Sequence, residues 1–131
     1  MNFLYNWLKK LFGAEKSAQF KNVVVGKILE IEKHPNADRL QITKTDVGGK
    51  VLQIVCGASN IKVGDLVPVA TIGAILPNGM AIKEAEIRGV KSFGMLCAED
   101  ELGLGTSHDG IMILDENAEI GMDFDKYISN K

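Results

Sequence analysis

The sequence predicts an all-β fold: a small barrel of about five strands, preceded by a short amphipathic helix. Three observations lead there. Short runs of β-favouring residues alternate in polarity, turn signals recur at a spacing of roughly 8–12 residues, and helical periodicity is sparse. At 131 residues the chain has room for one ordinary domain and a short appendage. The boundaries drawn are 1–19 for the helix and its linker and 20–131 for the barrel.

At the N-terminus Leu4, Trp7, Leu8 and Leu11 recur at helical spacing, Phe3 and Phe12 widen the stripe, and Lys9 and Lys10 flank it. Gly13 is a plausible stop, and residues 13–19 read as a linker. Such a helix can pack on the following domain, sit at a protein interface or lie on a membrane surface. From Phe20 the pattern changes. Residues 23–33 alternate from Lys27 onward, and Gly26 within that run suggests a bulge or sharp bend. Residues 42–47 and 50–55 flank Gly48-Gly49, a strong hairpin signal. The turn Lys62-Val63-Gly64-Asp65 introduces a strand over 66–72. Short strands are expected at 85–90 and 110–115, and one or two helical turns at 98–102. This pattern fits the five-stranded oligonucleotide/oligosaccharide-binding (OB) barrel best, although periodicity alone does not separate it from an SH3-like barrel.

A composition that is 46% hydrophobic and 24% charged, with 14 Gly and 3 Pro, excludes collagen-like, low-complexity and disordered classes. No apolar run approaches the ~20 residues of a membrane span, and no signal peptide follows Met1. Two cysteines make no disulfide framework, so a cytoplasmic location is expected. The net charge of −2 argues against a nucleic-acid partner until it is resolved along the chain. Residues 1–26 carry four lysines against Glu15. Residues 27–91 carry seven Lys and two Arg against seven acids, and residues 92–131 hold Lys126 and Lys131 against nine acids. The acidity therefore sits in the last third, and the charge permits RNA binding without demanding it.

Four segments are too specific for generic turns: HPNADRL (34–40), CGASN (56–60), GAILPNGMAI (73–82) and RGVKSFGMLCAEDELGL (88–104), with HDGI (108–111) following. In this order and spacing they resemble the tRNA-binding domain of the bacterial phenylalanyl-tRNA synthetase β subunit. The same domain occurs in a methionyl-tRNA synthetase extension, in free-standing bacterial tRNA-binding proteins and in the endothelial monocyte-activating polypeptide. The resemblance covers roughly residues 20–128 and is closest to the β-subunit version. There the fourth position of CGASN is usually Pro, where this chain has Ser59. It implies an OB fold that binds tRNA by shape and phosphate contact, without chemistry or cofactor of its own. YNWLKKL (5–11) also resembles the β-subunit opening, but fewer residues than usual separate it from the first strand. The chain is thus expected to be a piece of a shortened β subunit or, in preference, a free-standing relative. A homodimer or synthetase subunits are the expected protein partners, and a membrane is not.

The residues themselves support an RNA-binding reading. In HPNADRL, Pro35 can hold the turn, while Asn36 and Asp38 can bond nearby backbone. Arg39, with Lys33 close by, suits phosphate contact or base stacking. In RGVKSFGML, Arg88 and Lys91 can neutralise phosphates, Ser92 can donate to a phosphate or 2′-OH, and Phe93 or Met95 can lie against a base. The resemblance adds that the motif's serine and methionine, matching Ser92 and Met95, are linked to tRNA binding. Asn60 completes the candidate set. Structural roles compete at each position, with Met95 able to join the core and the 34–40 loop able to be purely structural. His34, Cys56, Cys97 and His108 offer a zinc-like set of residue types, but their separations lack paired ligands, and no metal is expected. A Cys97–His108 nucleophile pair has no orienting motif, and no catalytic residues are expected. The alternative function is an architectural or protein-association domain with little RNA affinity.

Overall fold

The computed structural model describes residues 19–131, so the expected N-terminal helix lies outside the described residues. The first strand, β1 (Val23–Lys33), is the longest and serves two neighbours. Its first half pairs antiparallel with β4 (Leu66–Thr71), from Val23↔Ala70 to Lys27↔Leu66. Its second half pairs with β2 (Gln41–Asp46), which forms a hairpin with β3 (Val51–Cys56) across Gly48-Gly49. The remaining strands are β5 (Ala85–Ile87), β6 (Val90–Ser92) and β7 (Gly94–Leu96). The main sheet runs β3-β2-β1-β4-β7, and β5 with β6 forms a separate hairpin. The product is the expected nearly closed five-stranded antiparallel barrel.

Curvature comes from one place on β1. The register shifts between Ile28 and Glu30, so Leu29 is the extra residue of a bulge, which bends and twists the strand. Gly26 has a different task from the expected bulge. A Cβ there would stand 2.7 Å from Val69 Cγ2 and 2.8 Å from Thr45 Cγ2, so only glycine lets both side chains close over the strand.

The barrel is sealed between β3 and the segment 92–94. The Phe93 amide donates to Gln53 O at 2.9 Å. The Ser92 hydroxyl, 2% exposed, accepts from Val55 N–H at 3.0 Å and donates to Gly94 O at 3.2 Å. A side-chain oxygen thus satisfies a buried main-chain donor at the seam.

Inside the barrel, Ile28, Ile54, Val67, Val69 and Leu96 form one apolar cluster. A second gathers at the start of β1, where Phe20, Val25, Leu102 and Leu114 meet the helix α1 (Phe124–Ser129). There Phe124 meets Phe20 edge-on at 5.2 Å between ring centroids and stacks on Tyr127 at 5.9 Å. Helix α1 was not foreseen: it is six residues long and Asp123 at its N-cap makes no side-chain bond, so neither length nor capping announces it. Residues 110–115 are also not the expected strand. They form a strap whose amides bond outward, Met112 to Cys97 O and Leu114 to Leu66 O, with a single bridge Ala98↔Ile111. Residues 85–90, expected as one strand, hold β5, a two-residue turn and the start of β6. The 98–102 segment forms a 3-10 turn over Asp100–Leu102.

The seam is open to a direct test. Ser92→Ala leaves the buried Val55 N–H without its partner and is expected to cost about 1–3 kcal/mol, read from urea unfolding. A midpoint unchanged from the parent chain would contradict the sealing role.

Candidate nucleic-acid interface

The loop 34–40 joins β1 to β2, and the hairpin β5–β6 lies within the long β4–β7 connection. In OB barrels the corresponding loops and the β2–β3 face bind oligonucleotides. Here the two are tied together by hydrogen bonds. His34 is 2% exposed, and its ring bridges them: Nδ1 accepts from the Asn36 amide at 3.0 Å, and Nε2 lies 2.9 Å from Ile87 O. A neutral ring with its proton on Nε2 satisfies both bonds. Asn36 Nδ2 donates to Arg88 O at 3.1 Å. Within the loop, His34 N–H bonds Leu40 O and Leu40 N–H bonds Ala37 O, so the turn closes on itself.

This clasp sets the loop that carries Lys33 and Arg39 against the turn that carries Arg88. All three side chains are exposed. Lys33 Nζ lies 3.9 Å from Asp38, an exposed pair that constrains it little. Lys33 and Arg39 border a crevice of about 480 Å³ that extends to Gly57 and Ser59. Beside the hairpin, an open groove of about 680 Å³ runs between β2–β3 and β6. Its walls include Lys44, Gln53, Gly89, Lys91 and a half-buried Phe93. Gln53 braces this groove from both sides: Oε1 accepts from Lys44 Nζ at 2.7 Å, and Nε2 donates to Lys91 O at 2.8 Å. Lys91 also approaches Glu84 at 3.9 Å. Two ammonium groups flanking an aromatic ring can neutralise phosphates while a base lies on the ring.

The other expected residues are placed differently. Ser92 has its hydroxyl engaged in the barrel seam. Met95 is half-buried and packs against the core cluster that contains Phe124. Ser92 and Met95 nevertheless border a third groove, of about 750 Å³, which reaches Ser59, Met80, Lys83 and His108. Asn60 clamps the strap: its Oδ1 accepts from Ile111 N–H at 3.0 Å and its Nδ2 donates to Ile111 O at 2.9 Å. Three residues of the interface were not expected there from sequence. Lys44 and Gln53 could have been, since strand alternation sets Lys44 opposite the buried Thr43 and Thr45. The third, His34, shows its bridging role only once β5 is in place.

The zinc-like and nucleophilic readings find no geometry. Among the described residues no three His, Cys, Asp or Glu side chains gather as metal ligands. Cys56 and Cys97 are free and buried. Burial pushes the Cys97 thiol up to about 12, aided by the Glu101 charge, and burial also raises Cys56. Cys97 donates to Met95 O at 3.6 Å, whereas His108 Nδ1 pairs with Asp100 Oδ1 at 2.9 Å.

Residues 23–123 match the family model described as "Putative tRNA binding domain". The chain belongs to the tRNA-binding domain family. Phenylalanine–tRNA ligase β subunits are similar to it: that of Chlorobaculum tepidum is 52% identical over 119 residues, covering 87% of this chain and 15% of the relative. That of Aromatoleum aromaticum is 54% identical over 114 residues, covering 86% and 14%. The chain thus spans about one seventh of the length of these relatives. Among solved structures, the C-terminal domain of Plasmodium vivax p43 is 28% identical with a TM-score of 0.56, covering 79% of this chain and 58% of that one. The MetRS related protein from Pyrococcus horikoshii is 20% identical with a TM-score of 0.59, covering 83% and 93%, and supports the fold. Among the described residues no helix is long and apolar enough to cross a membrane.

The His108–Asp100 pair is the titratable feature of this region. The hydrogen bond that His108 donates to Asp100, then the Asp100 charge, holds the His108 pKa above the ordinary 6.5. A raised folded-state pKa means that the pair's contribution is fully present below about 6.5 and is lost as pH rises through the folded value. An NMR titration is expected to place His108 above 6.5 in the parent chain and nearer 6.5 in Asp100→Asn. An identical midpoint in both would contradict the pairing.

Proposed function

We propose that this chain binds folded tRNA on the clasped surface formed by the 34–40 loop, the β5–β6 hairpin and the groove beside them. The observation that carries the reading is the clasp itself, with His34 and Asn36 fixing two basic loops relative to each other in a member of the tRNA-binding family. A rigid pair of loops suits recognition of a folded backbone, because its cations keep a set spacing that unstructured RNA meets only at an entropic cost. Lys33, Arg39, Lys44, Arg88 and Lys91 would supply phosphate contacts, and Phe93 a stacking surface. Ser92, Asn60 and Met95 would act chiefly by holding the grooves in shape, with Ser92 and Met95 also bordering the third groove. The module is non-catalytic in this reading and works beside synthetase subunits, as its similarity to one seventh of the β subunits suggests.

A second reading, an architectural or protein-association domain, is favoured by the nine acids against two lysines in residues 92–131. A homodimer belongs to this reading. One experiment separates the two. Binding of folded tRNA and of an equal-length unstructured RNA is measured across a salt series. Five phosphate contacts would weaken tRNA binding roughly 100- to 500-fold between about 50 and 200 mM salt. Reversing Arg39, Arg88 and Lys91 to Glu should abolish most of the affinity and flatten that slope. Equal affinity for both RNAs would remove shape recognition, and unchanged affinity in the triple variant would favour the architectural role.

A further inference from the structure

Among the described residues, two other than glycine hold a left-handed backbone: Asn22 at φ 64° and Arg88 at φ 54°. Asparagine tolerates this region because its short amide bonds local backbone, whereas an arginine has no such compensation and its Cβ crowds the following carbonyl. Arg88 and Gly89 (φ 88°) form the two-residue loop of the β5–β6 hairpin, closed by the Ile87↔Val90 pair. Positive φ at both central residues is the pattern of a type I′ turn, for which Asn-Gly is the favoured sequence. Arginine at the first of these positions is therefore a locally unfavourable choice.

The surroundings hold the turn in place. Asn36 Nδ2 donates to the Arg88 carbonyl, and His34 Nε2 bonds the carbonyl of Ile87 just before it. The guanidinium itself is exposed and joins none of the ion pairs among the described residues. A strained residue whose backbone is braced and whose charged end pairs with no described residue points to a ligand for that end.

We propose that Arg88 is a fixed guanidinium probe for a tRNA phosphate, positioned through its backbone by Asn36 and His34, at a cost in stability to the free domain. This rests on the tRNA-binding reading above and deepens it. The planar fork of arginine matches two phosphate oxygens, and a prepositioned turn reduces the ordering needed on binding. Asn36 and His34 are positioning residues here and do not touch the RNA.

The test uses the full chain with Arg88→Asn, Arg88→Lys, Asn36→Ala and the double variant Asn36→Ala/Arg88→Asn, each carried through thermal unfolding and titration with folded tRNA at fixed salt. Arg88→Asn restores the favoured turn sequence and should raise Tm by about 2–5 °C, while weakening tRNA binding about tenfold. Arg88→Lys keeps strain and charge, so its Tm should match the parent and its affinity should fall less. Asn36→Ala should weaken binding about threefold in the parent background and not at all alongside Arg88→Asn, because it acts through Arg88. An Arg88→Asn chain with unchanged affinity or a lowered Tm overturns the proposal, as does an Asn36→Ala effect of equal size in both backgrounds. A parent chain that fails to bind folded tRNA defeats the functional reading itself in the first titration. Loss of only this inference shows instead as intact tRNA binding in Arg88→Asn.

Discussion

The tripeptide Ser92-Phe93-Gly94 is the point on which the rest of the architecture turns. The chain leaves the β5–β6 hairpin at Ser92 and enters the main sheet at Gly94, where β7 pairs with β4. Between them, the Ser92 hydroxyl and the Phe93 amide take up Val55 N–H and Gln53 O on the free edge of β3. Gly94 suits the step because a Cβ there would crowd Ala70 O at 3.0 Å. Closing the barrel in this way removes the open edge of β3 and fixes where the hairpin stands. The hairpin's position in turn puts the Ile87 and Arg88 carbonyls within reach of His34 and Asn36. The grooves beside Phe93 and Lys91 follow from the same geometry, with Gln53 bracing the walls.

Charge then decides what such a surface suits. Averaged over 131 residues the chain is slightly acidic, yet its acids concentrate after residue 91. The segment 99–109 carries Glu99, Asp100, Glu101 and Asp109, whereas Lys33, Arg39, Lys44, Arg88 and Lys91 stand on the clasped loops and their groove. Within a Debye length of about 8 Å at physiological salt, a phosphate responds to the local group of charges more than to the total. Exposed Glu32, Asp38, Glu84 and Glu86 share these loops, so the face is only weakly basic, which fits modest, salt-sensitive association. The acidic remainder discourages indiscriminate coating of nucleic acid.

Much of this was legible in the sequence where local rules act alone. Gly48-Gly49 between two β-rich runs specifies a hairpin whatever surrounds it, and the Lys62–Asp65 turn closes as expected, with Asp65 capping the Lys62 amide. The motif segments revealed the family because their order and spacing match over nearly the whole domain. Features that depend on distant partners were not legible. Leu29 became the bulge in place of Gly26, since the demand on Gly26 comes from Val69 and Thr45 on neighbouring strands. The run 110–115 looks like a strand but meets only scattered carbonyls, so it remains a strap. Helix α1 forms because Phe124 and Tyr127 have an apolar floor in Phe20 and its neighbours. The candidate site divides along the same line. Lys33, Arg39, Arg88 and Lys91 are exposed, as their polarity suggests. Ser92, Asn60 and Asn36 spend their polar atoms on partners 37 to 52 residues away, which no local pattern reveals.

On the proposed reading, the clasped loops and the hairpin form the RNA-binding face. Hydrogen exchange of the full chain with and without folded tRNA, resolved by peptide, tests it most directly. Slowed exchange concentrated at residues 33–40 and 85–93, with 112–131 unchanged, is the predicted result. Protection confined to the acidic C-terminal third, with the clasped loops exchanging as in the free protein, would contradict it.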